Sequence, residues 1–137
     1  MTQNWMLPAP GDIVWCLFPE IPDIAPGPKP RPALVMRIER REDGDVVSVV
    51  YGTSQNVTRL KTGEVAITQA HHPAAYSLAG LAYDTKFDFK VMVDLPWSDR
   101  YFKVPVRNSH GNTPKLGTLH ATVLHAVEAA YRAAEAR

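Results

Sequence analysis

Cysteine is almost absent from this chain: Cys16 stands alone among 137 residues. One thiol excludes an intramolecular disulfide and any metal site built on several cysteines. Its setting, Ile13-Val14-Trp15-Cys16-Leu17-Phe18, predicts a buried thiol and not a nucleophile. Long apolar runs are missing too. The longest cover about six residues, against the roughly twenty needed to cross a bilayer, so no membrane helix is expected. Residues 1–10 carry neither a basic start nor an apolar stretch, which reads as no secretory signal and a cytoplasmic protein. Charge of one sign is lacking: 15 Lys and Arg face 14 Asp and Glu, for a formal net charge of +1. Bulk charge therefore does not announce a nucleic-acid binder, and a basic site must be a local patch.

What is present suits one globular domain spanning residues 1–137. Hydrophobic residues make up 45% of the chain, which supports a real core at this length. Residues 1–10 read as a loose, proline-broken lead. Ile13 to Phe18 reads as a strand covered on both faces, because it is β-branched and aromatic without alternation. Five prolines between Pro19 and Pro30 rule out a helix or a central strand there. They stiffen the loop, which suits it as the wall of a groove. Ala33 to Ile38 forms the second strand, with Leu34, Met36 and Ile38 on one face and Ala33, Val35 and Arg37 on the other. Asp43-Gly44 signals a hairpin, and Val46 to Tyr51 is the returning strand.

Thr58 to Thr68 is expected as a short hairpin around Thr62-Gly63. Residues 74–80 suit one helical turn. Leu81 to Leu95 suits further strand, and Tyr101 to Val104 a last one. From Thr118 the period changes to that of a helix, with Leu119, Val123, Val127 and Ala130 on one stripe. This C-terminal helix, residues 117–136, should lie on the sheet. The predicted fold is mainly β: a small barrel or a bent antiparallel sheet with that helix packed on it. His71 and His72 are adjacent and point apart, and His120 and His125 are five residues apart. Neither pair has metal-ligand spacing, so no catalytic metal is expected.

Arg31 stands where the proline loop becomes strand, and Gly52-Thr53-Ser54-Gln55 closes the next strand. If the two strands pair, both groups project toward one surface. A guanidinium beside a hydroxyl on a rigid sheet can handle a phosphate. A lone arginine at a strand start is more often a plain surface charge; the hydroxyl cluster is what raises this one.

Gly11-Asp12-Ile13-Val14-Trp15, then Lys29-Pro30-Arg31-Pro32-Ala33-Leu34-Val35, then Gly52-Thr53-Ser54-Gln55 resemble, in this order, the MazF/PemK toxins of toxin–antitoxin pairs. Thr85-Lys86 stands where a further short family motif falls. The resemblance covers residues 11–125. It implies an SH3-like barrel, a homodimer, a cognate antitoxin, and metal-independent cleavage of single-stranded RNA without a cofactor. Arg31 and Thr53 align with the family's catalytic arginine and threonine. Lys29, Ser54, Gln55, Glu20 and Lys86 are the candidates for holding substrate. Two departures stand out. The loop at residues 19–30 is rich in proline, and the segment at residues 96–116 is longer than a minimal member needs. That segment is expected to cover the groove or to serve a different partner.

The chemistry also follows from RNA itself, whose 2′-hydroxyl is a built-in nucleophile. A minimal enzyme must position the ribose, stabilise charge at phosphorus and move two protons. A guanidinium meets phosphate oxygens bidentately and stays protonated, so Arg31 suits charge stabilisation and not general-base work. Thr53 would hold a phosphate oxygen or the 2′-hydroxyl. Glu20 and Asp23 are both candidate bases, and the sequence chooses neither. The alternative is a catalytically inactive relative that binds protein or RNA and cuts nothing.

Overall fold

A computed structural model describes residues 5–107 and 109–136. Among the described residues, six strands form one antiparallel sheet: β1 Asp12–Cys16, β2 Arg31–Arg41, β3 Gly44–Thr53, β4 Glu64–Ile67, β5 Thr85–Pro96 and β6 Lys115–Thr118. Their order across the sheet is β4-β5-β3-β2-β1-β6. The sheet is bent and is not closed into a barrel. Helix α1 (Pro73–Leu78) lies between β4 and β5 in the chain, and α2 (Leu124–Glu135) follows a short 3-10 turn at Ala121–Val123. No helix among the described residues is long and apolar enough to cross a membrane.

The bend has a local cause. The register slips between Val35 and Arg37 in β2, between Val50 and Tyr51 in β3, and between Ile13 and Val14 in β1. Extra residues at such points raise the local twist and turn the strand. The slip at Met36 also corrects the expected faces of β2. Leu34 and Met36 pack on one side, but Ile38 joins Ala33 and Val35 on the other.

Both faces of the sheet are covered, as the unalternating β1 sequence predicts. Ile13, Leu34, Val50, Ile67, Phe87 and Phe89 face the side where α1 and α2 contribute Ala75, Val127 and Ala130. Val14, Cys16, Val35, Val47 and Val49 face the other, under Phe18, Tyr101 and Phe102. Each fully buried large side chain contributes about 1.5–3 kcal/mol through apolar burial. Cys16 is fully buried, and burial pushes its thiol pKa far up, out of nucleophile range.

Three expected elements differ. The C-terminal helix begins later than Gly117–Thr118: Lys115–Thr118 is a strand paired with β1, and His120 caps the 3-10 turn by accepting from Thr122 N at 3.1 Å. The helical stripe starts only at Leu119, and the free edge of β1 takes the residues just before it as a strand. The hairpin expected within residues 58–68 supplies only β4, which pairs with β5 instead of with its own flank. Tyr101 to Val104 makes only an isolated bridge, Cys16 with Phe102. Residues 1–4 of the expected loose lead lie outside the described residues. Trp5 of the lead is docked, with its ring edge-on to Trp97 at 5.7 Å.

Candidate functional site

The β2–β3 hairpin builds the site. Asp43 and Gly44 turn the chain at one end, and Gly44 has the positive φ of 129° that the tight turn requires. At the other end Ala33 stands opposite Tyr51. Arg31 lies two residues before Ala33 and Thr53 two after Tyr51, so antiparallel pairing brings them to the same end of the hairpin. Gly52 makes this closeness possible. A Cβ there would collide with the Pro32 carbonyl and lie 2.9 Å from the Phe87 ring.

Arg31 and Thr53 line one groove of about 720 Å³, together with Lys29 and Ser54. Trp15, Tyr76 and Tyr83 bring aromatic surface to it, and Pro105 to Arg107 add a further wall. The cations Lys29, Arg31 and Arg107 line the groove without any Asp or Glu among the described lining residues. None of the three has an ion-pair partner among the described residues. Three cations without an ion-pair partner among the described residues thus share one groove of a nearly neutral chain.

Arg31 also borders a second cleft of about 310 Å³, lined by Phe18, Glu20, Pro28, Tyr51, Asp88 and Val91 among others. Its guanidinium carbon lies 5.7 Å from the centre of the Tyr51 ring, a cation–π contact that orients the fork. The proline loop is tied down around it. Tyr101 donates its hydroxyl to Ile24 O at 2.5 Å, and Gly27 N donates to Leu17 O at 3.1 Å. The loop walls both clefts, as its stiffness predicts, with Glu20 in the smaller and Lys29 in the larger.

Thr53 is 7% exposed, more buried than a site at a strand end suggests. Its Oγ1 accepts from Gln55 N at 3.1 Å, which leaves the hydroxyl proton available to a ligand. Gln55 is exposed and does not line the groove. Lys86 stands across from Thr53 in the β3–β5 register, yet its ammonium turns elsewhere. It pairs with Glu64 at 2.9 Å and donates to Arg59 O at 3.2 Å, with both side chains of the pair under 8% exposed. Asp23 lines neither cleft.

Arg107, Tyr76, Tyr83 and Asp88 are site residues that sequence reasoning missed. No local signal marks them, because they reach the clefts from segments distant in the chain. No group of three or more His, Cys, Asp or Glu among the described residues could hold a metal ion. Comparison of the sequence with family models and with curated proteins finds no match.

Proposed function

We propose that the larger groove binds single-stranded RNA and that Arg31 and Thr53 promote its cleavage. The observation that carries this reading is the groove's lining among the described residues: three unpaired cations, no acid and three aromatic side chains. A positive channel with stacking surfaces is what a single strand with exposed bases requires. The resemblance to MazF/PemK toxins points the same way, toward a homodimer held in check by an antitoxin protein and meeting RNA in the cytoplasm.

In the proposed step the ribose 2′-oxygen bonds to the adjacent phosphorus as the bond from phosphorus to the 5′-oxygen breaks. The products are a 2′,3′-cyclic phosphate and a free 5′-hydroxyl. Arg31 stabilises the charge that develops on the phosphate oxygens. Thr53 donates its hydroxyl to a phosphate oxygen or positions the 2′-hydroxyl. The 2′-proton goes to a carboxylate, and Glu20 and Asp88 are favoured over Asp23 because both share the smaller cleft with Arg31. The 5′-oxygen takes a proton as it leaves. Since RNA brings its own nucleophile, a chelator should leave cleavage unchanged.

One observation favours a binding-only protein as the second reading: the larger groove holds no carboxylate to act as base among its described lining residues. Incubating the protein with a labelled single-stranded RNA and with its 2′-deoxy analogue, both in chelator, separates the two. Cleavage of the RNA alone supports the enzyme. Binding of both without cleavage of either supports the binder.

A further inference from the structure

The larger groove has a wall that the hairpin does not supply. The chain leaves the body at Lys103, whose N–H donates to Trp15 O at 3.0 Å. It returns at Pro114, whose carbonyl accepts from Trp15 N at 2.8 Å. Both ends of the excursion are therefore clamped to one residue of β1. Trp15 itself stands opposite Pro32 in the β1–β2 register, next to Arg31. These two backbone hydrogen bonds anchor the ends of the excursion beside the strand end that carries Arg31. Pro105, Val106, Arg107 and Ser109 line that groove, and Arg107 is exposed with no ion-pair partner among the described residues.

We infer that Arg107 is a second phosphate site, holding an RNA phosphate next to the one that Arg31 engages. This rests on the groove being an RNA site and goes beyond it by assigning a separate subsite to Arg107. Arg107 and Arg31 line one continuous groove, so a strand lying along it presents successive phosphates to both. Tyr83, 73% exposed, and Trp15 line the same groove and offer stacking faces for the bases between. A phosphate contact remote from the reacting centre strengthens binding and register, and substrate too short to reach it gains nothing from it. Arg107 is thus a positioning residue.

The test measures binding and cleavage of two labelled RNAs, a dinucleotide and an octanucleotide, by the wild-type chain, Arg107→Ala and Arg107→Lys. Binding is followed across a salt series with 2′-O-methyl versions, which cannot be cut. Arg107→Ala should weaken octanucleotide binding about tenfold and lower the magnitude of its salt slope by about 0.7, the value for one phosphate contact on a single strand. Arg107→Lys should keep most of the slope. The dinucleotide, with its single phosphate, should lose less affinity and less cleavage than the octanucleotide on Arg107→Ala. If Arg107→Ala binds the octanucleotide with wild-type affinity and slope, the subsite is overturned while RNA cleavage at Arg31 stands. If the wild type binds neither RNA, the subsite and the RNA reading fall together. Binding of a polyglutamate peptide in place of RNA would overturn both in the same way and mark the groove as a site for an acidic protein segment.

Discussion

Arg31 and Thr53 divide the proposed chemistry between a charge and a hydroxyl, and each can be tested without removing the side chain's bulk. Arg31→Lys keeps a positive charge but loses the planar fork that Tyr51 orients. Its single-turnover cleavage rate should fall by about a hundredfold, with RNA affinity changed much less. Equal losses in rate and affinity would make Arg31 a plain binding cation. Thr53→Ser keeps the hydroxyl that Gln55 N uses and should cut within about tenfold of wild type. Thr53→Val should lose about a hundredfold. A Thr53→Val enzyme with wild-type rate would remove Thr53 from the mechanism. The adjacency of these two residues was legible in the sequence because every local signal agreed: a proline loop, a β-branched run, Asp43-Gly44, and a second run ended by Gly52. The fate of Lys86 was not. Its partner Glu64 reaches it only through β4 pairing with β5, and the local signal pointed to a hairpin within residues 58–68 instead.

Strand β4 is short, and the Glu64–Lys86 pair pins it to β5. Burial pushes the Glu64 carboxyl up, but hydrogen bonds from Lys61 N and Lys86 Nζ and the charge of both lysines outweigh it, so the net shift is downward. A carboxyl whose pKa is lower folded than unfolded stabilises the fold above its unfolded value, and that contribution fades as pH falls through the folded one. Glu64→Gln should therefore be less stable than wild type near neutral pH, and the gap should shrink below about pH 4.5, the ordinary value for the group. Urea unfolding at pH 7 and about pH 3 reads this directly. A gap that widens in acid would reverse the assigned sign. Lys86→Met strands a buried carboxylate and should cost on the order of 3 kcal/mol. The double variant Glu64→Gln/Lys86→Met should lose less than the two single losses added. Elements of this kind also mark where periodicity failed. Thr118, where the sequence changes to a helical period, instead ends the strand Lys115–Thr118 that pairs with the edge of β1.

At the scale of the molecule, the candidate function lies in a charge distribution that composition conceals. The groove draws on β1, the end of the proline loop, the ends of β2 and β3, α1 with the turn after it, and the excursion after Lys103. These are separate stretches of sequence, so no window of the chain shows the patch and the net charge averages it away. The bent sheet was legible from strand runs and turn residues. That its edges β4 and β6 stay unpaired with each other was not, because no local signal encodes the pairing of strands distant in the chain. The proposed chemistry is tested most directly by single-turnover cleavage of a labelled single-stranded RNA by the wild type and by Arg31→Ala, with circular dichroism as the control for folding. The wild type should cut in the presence of chelator and leave a 2′,3′-cyclic phosphate, while Arg31→Ala folds normally and cuts at least about a hundredfold more slowly. A folded Arg31→Ala protein that cuts at the wild-type rate would contradict the role given to Arg31 and, with it, the site.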